Sequence, residues 1–484
     1  MRRRGTDPLD DVSAFFLTIG SPPLAAYSLQ ITQINARWLS RAFSDIDNPD
    51  PEAMATAVSA LQHIPIQLST NPTLLPSLIV LPQNRAYWRI LFKSARKIRR
   101  WTIPIVVNFV WVVVSALLTT IDTFSSPVPG EIGYGTITSL TYLLPLMIGW
   151  LYVGSEPESN HLRDSLDDAN SIALVTRDEG GEPVLAEKLV GQPIEFVKKC
   201  DVDLARRDEL RTNPIYNYSR VFPWSQNAEK IFVSARNAAV NAEREASVDK
   251  PSDPKANVAT GDRNWTTNDA IRRCAAEDTA AAGQVLPFHV NRAGIREPSI
   301  WATDVWKRVA LAAGLGIGLQ WGTTGAGLFI YYQTRPVGLG CRTTPLMIYG
   351  ILGTISFLLH LASSVLAHLS RPSRPRPGLK HGYCRRRSLQ ETGAIFSRRL
   401  GKTLAMMAGV GIMVISLIQP IGVFDNCWCS TKTFDRPQQP VQFMEGNFAA
   451  EWGVNRDWIG GLAMACATAS IFGLSLYFGT PRRR

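Results

Sequence analysis

Six stretches of the chain are mostly apolar and hold no Asp, Glu, Lys or Arg: Ile103 to Ile121, Gly135 to Val153, Val309 to Tyr332, Thr343 to Leu369, Thr403 to Phe424 and Trp458 to Tyr477. A hydrocarbon layer about 30 Å thick is crossed by roughly 20 apolar residues in a helix, because each backbone amide must find its partner inside the segment. The pattern predicts six transmembrane helices, the third diluted by Gly. A buried soluble-protein helix competes for any single run; six uncharged runs of this length make that reading remote. Trp101, Trp150, Tyr152, Trp306, Tyr331, Tyr332 and Trp458 stand near the ends of the runs, where a headgroup belt holds amphipathic rings.

Other periodicities are weaker. Val12 to Ala36 is uncharged but broken by Pro22-Pro23. Beyond the prolines, Leu24, Tyr27, Ile31, Ile34 and Trp38 recur at helical spacing, as expected of an amphipathic helix in the interface or docked on a bundle. Ser171 to Thr176 and Pro183 to Val190 flank a Gly180-Gly181 turn and predict a β-hairpin. Ser225 to Glu245 places Ala228, Ile231, Phe232, Ala235, Ala239 and Ala242 on one helical face, and Ser247 to Asp262 has the composition of a linker.

A mean hydropathy of −0.01 conceals this block structure; the charge reveals its orientation. Of the 51 Lys and Arg, 46 fall in alternate segments (1–102, 154–308, 370–402 and 478–484) and 5 in the remaining gaps. Cytoplasmic segments keep their basic residues, so both termini and both long connections are expected in the cytosol. The expected architecture is an all-α membrane protein, a six-helix transmembrane bundle of three hairpins (103–153, 309–369 and 403–477). A cytoplasmic N-terminal region (1–102), a mixed and partly disordered cytoplasmic loop domain (154–308), a basic loop (370–402) and a basic tail (478–484) complete it. The last hairpin carries an outer loop at 425–457.

Few residues invite chemistry. Cys341, Cys427 and Cys429 would share the non-cytoplasmic side, where an oxidising compartment favours a bridge from Cys341 to one of the other two. Arg85 to Trp101 mixes Trp88, Leu91, Phe92, Ile98 and Trp101 with bases. Its Lys93, Arg96, Lys97, Arg99 and Arg100 are candidate anionic-lipid contacts, although they equally serve as a plain topology signal. Asn108, Gln320 and His360 are the polar groups that would line a path through the spans; a lone His more often makes a structural hydrogen bond. Gly314, Gly318 and Gly322, and Gly461, Ala465, Ala469 and Gly473, form small-residue stripes suited to close helix packing. Gly401-Lys402-Thr403 ends like a phosphate-binding loop, but Phe396 stands where that loop needs Gly.

The run Ser21 to Trp38 (SPPLAAYSLQITQINARW), Ser77 to Pro82 (SLIVLP) and Arg206 to Ser219 (RRDELRTNPIYNYS) resemble segments of uncharacterised multi-pass membrane proteins of filamentous fungi. The resemblance implies a fungal membrane protein and carries no activity, cofactor or site residue. With 25 Asp and Glu against 21 Lys and Arg, segment 154–308 is no nucleic-acid footprint. The sequence expectation is a non-enzymatic scaffold or regulatory protein, without cofactor, that recruits cytoplasmic proteins or anionic lipids at the bilayer. A small-solute transporter or channel is the alternative.

Overall fold

The computed structural model describes residues 8–44, 46, 50–69, 71, 74–96, 134–153, 159–176, 182–189, 191–197, 204–211, 214–248, 289–290, 296–297, 301–302, 304–333, 338–370, 388–418, 423 and 452–479. The expected span Ile103 to Ile121, the linker 247–262 beyond residue 248, and most of the outer loop and basic loop lie outside them.

The described chain is mostly helical. Helices α1 (Pro8–Gly20) and α2 (Pro22–Ser44) meet at a bend of 101°. Pro22 and Pro23 have no N–H to donate to the carbonyls of Thr18 and Ile19, so α1 must stop there, while both prolines are tolerated as the opening residues of α2. Ile19 O accepts instead from the hydroxyls of Tyr349 (2.7 Å) and Tyr142 (3.2 Å). From Pro22 to Gln33 every residue of α2 is buried, so the helix is enclosed on all sides rather than along one stripe.

Helices α3 (Pro51–Ala60), α4 (Leu74–Val80) and α5 (Arg85–Arg96) follow, with strand β1 (Ile66–Leu68) between the first two. Then come α6 (Tyr134–Leu140), α7 (Leu143–Val153) and α8 (Ser159–Ser171). The stretch expected to be one span, Gly135 to Val153, is thus two helices. Pro145 cannot donate to Thr141 O, and the turn is closed by three-residue bonds from Thr141 N to Thr138 O and from Leu144 N to Thr141 O. Strands β2 (Leu174–Val175) and β3 (Val184–Leu185) pair antiparallel where the hairpin was expected. A single helical turn, α9 (Ala186–Leu189), leads to β4 (Ile194–Phe196), which pairs antiparallel with β1, Ile66 opposite Phe196.

Helix α10 (Asn217–Val248) supplies Trp224, Ala228, Ile231 and Ala235 to a core shared with Leu39 and Phe43 of α2, Met54 and Val58 of α3, Tyr87, Trp88 and Leu91 of α5, and Leu162 and Leu166 of α8. The segments either side of residues 103–153 therefore build one globular layer. The apolar face of α5, part of the basic segment whose charges were expected to contact anionic lipid or signal topology, points into this core.

The remaining helices are α11 (Val305–Gln333), α12 (Thr343–Leu369), α13 (Leu389–Ile418) and α14 (Trp452–Gly479). Among the described residues three helices are long and apolar enough to cross a membrane, Thr343–Leu369, Leu389–Ile418 and Trp458–Phe478, and the bent pair α1–α2 counts as a fourth if it is one span. Helix α13 starts well before Thr403 and takes up the end of the expected basic loop, because Ala394, Ile395 and Arg398 are buried on the same face as Ala405 and Ala408. Helix α11 packs on α2, α6, α12 and α14, and α12 on α13.

Candidate functional site: a buried polar joint

Residues 204–211 and 214–220 pack between the globular layer and the helices, and their buried charges are satisfied there. A 3-10 turn at Leu204–Leu210 buries Asp208 and Glu209. Asp208 accepts from Tyr218 Oη (2.6 Å) on one oxygen and from Lys402 Nζ of α13 (2.6 Å) on the other, with Arg211 Nε 3.7 Å away. Burial alone would raise its pKa, but Lys402, Arg398 and the two hydrogen bonds hold the carboxyl down at about 2. A general acid or base works best with a pKa near the operating pH, so Asp208 is a fixed anion across the neutral range. Tyr218 is the complement: burial and the Asp208 charge push its phenol well above the ordinary value, and it stays a donor.

Glu209 is gripped by Arg206 through two parallel bonds of 2.9 and 2.6 Å. Arg220, 2 % exposed, donates to the backbone carbonyls of Gln62, Glu209 and Arg211 and to Asn217 Oδ1, tying α10 to the end of α3 and to the 3-10 turn. Burial lowers its pKa only to about 10, leaving it charged. Further bonds run to the helices: Asn217 Nδ2 to Thr32 Oγ1 (2.9 Å), Ser28 Oγ to Ile215 O (2.7 Å), Tyr216 Oη to Ser13 Oγ (3.2 Å), Ser364 Oγ to Tyr218 O (2.9 Å) and Arg398 Nη1 to Ala205 O (3.1 Å). In this arrangement α1, α2, α12 and α13 are all clamped to one short segment.

The residues singled out from sequence fall elsewhere. Gln320 is sealed and donates to Gly350 O at 2.7 Å; His360, also sealed, donates through Nδ1 to Ser356 O at 2.7 Å and lies edge-on to Tyr218. These two anchor points on α12 are ten residues apart, about 15 Å along the helix. Asn108 lies outside the described residues. Cys341 is disulfide-bonded; Cys427 and Cys429 lie outside the described residues. Lys93 is exposed on α5, Arg96 ends that helix, and Lys97, Arg99 and Arg100 lie outside the described residues.

Of the small-residue stripes, Gly322 meets Thr468, Gly461 meets Ile330, and Ala465 is fully buried, which places them at the α11–α14 contact. Ala469 and Gly473 are half-buried, and Gly314 and Gly318 face open space. Close approaches of α11 to neighbouring backbone are at Gly316, against Pro23 O of α2, and at Gly327, against Gly135 O of α6, both off the four-residue stripe. Sequence reasoning did not single out Asp208, Arg220 or Arg398, and named Lys402 only in dismissing a phosphate-binding loop. For Asp208 a signal was present in Arg206 to Ser219, a dense run of both charge signs and tyrosines with no amphipathic period, as expected where side chains satisfy one another rather than face water.

The fold and the joint define a mostly helical protein with apolar helices suited to a membrane and a globular layer fastened to them. The chain matches no family model, no curated protein and no solved structure.

Proposed function

We propose that this is a multi-pass integral membrane protein of six spans in three hairpins, with both termini, 154–308 and 370–402 in the cytosol. In this reading it acts as a non-enzymatic scaffold or regulatory protein that presents its globular layer to cytoplasmic proteins or anionic lipids. The carrying observation is an inverted distribution of side chains. Ile348, Ile351, Ile355 and Leu358 of α12, Met407, Val410, Val414 and Leu417 of α13, and Ile471, Leu474 and Phe478 of α14 are exposed at helical spacing, while Gln320, Thr323, Thr324, Ser356 and His360 are buried. Exposed apolar surface of that extent suits lipid, not water.

The shared core supports the sidedness. The described residues within 39–96 and 159–235 pack together, so any crossings between them must be even in number, as a hairpin of Ile103 to Ile121 and Gly135 to Val153 provides. Asn217, an acceptor sequence for glycosylation, is 4 % exposed and bonded to Thr32, so it would stay bare on either side and is a poor topology reporter. The better test is an impermeant maleimide on intact cells carrying Lys93→Cys or Lys188→Cys, both at exposed positions of the globular layer, in a chain whose native cysteines are replaced by Ser. Labelling only after permeabilisation is expected; labelling of intact cells overturns the orientation.

A transporter or channel is the second reading, favoured by the break between α1 and α2. Discontinuous helices mark substrate sites in several transporter folds, and here Gly20 lies against Gly353 and Ala405, with Gln320 beside Gly353. Flux into reconstituted vesicles decides between the two: a solute-specific flux lost in Gln320→Leu or His360→Ala overturns the scaffold reading.

A further inference from the structure

We infer that the crevice at Arg398 binds the phosphate of an anionic phospholipid, which deepens the membrane reading above and rests on it. The crevice lies between the 3-10 turn, α10, α12 and α13; Arg206, Arg398, Tyr218 and Ser363 line it together with the carboxylates Asp208 and Glu209. It is open on one side and has room for about one water, which is also the size of a phosphate oxygen.

Arg398 is 7 % exposed. Its one hydrogen bond among the described residues runs from Nη1 to Ala205 O, leaving Nε and Nη2 without a protein acceptor there. The nearby carboxylates are already engaged: Asp208 by Lys402 and Tyr218, Glu209 by Arg206. A guanidinium this buried normally meets a carboxylate or phosphate in a two-pronged contact. Local charge points the same way, since residues 204–211 and 398–402 hold six bases, Arg206, Arg207, Arg211, Arg398, Arg399 and Lys402, and two acids.

The depth favours a lipid as the source of the phosphate. Ser363 is near the end of α12 and Arg398 in the first third of α13, so the crevice sits where the two apolar helices meet their polar connection. Exposed Arg399 stands on the same face of α13 as Phe396, Thr403 and Met407, and that apolar stripe continues through Val410, Val414 and Leu417. The headgroup phosphate enters between Arg398 and Arg399 while an acyl chain follows the stripe.

The test uses the full chain in nanodiscs of phosphatidylcholine containing a small fraction of phosphatidylserine, with retained lipid counted by native mass spectrometry after detergent exchange. Arg398→Gln should lower phosphatidylserine retention about fivefold, the loss of one basic contact near the surface. Lys188→Gln, at an exposed position of α9, should leave it unchanged, and Arg398→Lys should keep part of it. Added inorganic phosphate or glycerophosphoserine should not displace the lipid. Equal retention by Arg398→Gln and the unaltered chain overturns the site, equal loss in Lys188→Gln reduces it to general charge attraction, and displacement by inorganic phosphate makes it a free-anion site. Matching unfolding midpoints of Arg398→Gln, Arg398→Lys and the unaltered chain in phosphatidylcholine alone separate lost binding from misfolding. A chain that stays in solution without detergent or lipid fails the membrane reading before any of these arms is reached.

Discussion

Lys402→Met removes the cation from a carboxylate whose side chain is 4 % exposed, leaving Asp208 with Tyr218 as its close donor and Arg211 at 3.7 Å. Unit charges about 4 Å apart interact by roughly 4 kcal/mol at an effective dielectric near 20. The Lys402 side chain is 19 % exposed, so water screens part of that. The Asp208 carboxyl is held at about 2 against an ordinary 3.8, which corresponds to about 2.5 kcal/mol in favour of the ionised form after burial is overcome. Removing one partner of a buried pair costs roughly 3–5 kcal/mol, and the partial exposure puts Lys402→Met near about 3. Asp208→Asn should cost about 2 kcal/mol, because the freed ammonium can reach water. The double variant should cost about 3 kcal/mol, not the sum, for a coupling of about 2 kcal/mol. Equilibrium unfolding in mixed micelles, followed by tryptophan fluorescence from buried Trp88 and Trp224, gives all four values. Additivity within about 0.5 kcal/mol, or single losses below about 1, refutes the joint as a charge-paired fastening. The pH dependence has a definite sign: Asp208 contributes its full stability above about pH 4 and loses it as pH falls toward about 2, and Asp208→Asn lacks this acid limb.

His63 is held down to about 4 from 6.5, first by burial and then by the charge of Arg220. The unfolded chain takes up that proton first, so stability is complete above about pH 6.5 and falls as pH drops to 4. The loss is about 2 kcal/mol, because the ring keeps some solvent contact. His63→Gln should flatten that slope in pH-dependent unfolding, and an unchanged slope assigns it to another group. Gly20→Ala would place a Cβ 1.8 Å from Ala405 O, backbone that cannot yield, and should cost several kcal/mol in the same micelle assay. Gly318→Ala meets nothing within 4 Å and should stabilise its helix by up to about 1 kcal/mol, so similar midpoints for the two would contradict the packing at the α1–α2 break. Val410→Lys puts a charge on the outward face of α13 and should cost about 3 kcal/mol of insertion in a microsomal assay, whereas a water-facing helix would tolerate it.

The positions of the apolar helices were legible because an uncharged run is a local property. α12 spans the bounds read from the sequence, and α14 encloses its run. Local pattern also placed the strands around Gly180-Gly181 and the buried alanine face of α10. Three things were not legible, each for a non-local reason. Pro22-Pro23 break a helix, but where the freed Ile19 carbonyl goes depends on Tyr142 and Tyr349, far away in the chain. The apolar face of α5 reads the same whether it meets lipid or protein, and only the fold brings Leu162 and Trp224 to it. The joint combines residues 62, 208, 218, 398 and 402, so the acid and its base carry no shared spacing. Lys402, counted from sequence as a topology charge, is the partner of Asp208.

The two-part globular layer also sets an order of assembly. Strand β1 and the apolar face of α5 emerge from the ribosome long before β4 and α10, which complete their core. At roughly 5–20 residues per second, the gap between residues 96 and 235 keeps that surface and an unpaired strand edge uncovered for about 7–28 s. The interval spans the synthesis of residues 103–153, so the half-made layer must be sheltered while the intervening segment is delivered, and a delay there leaves the exposed half open to aggregation and degradation.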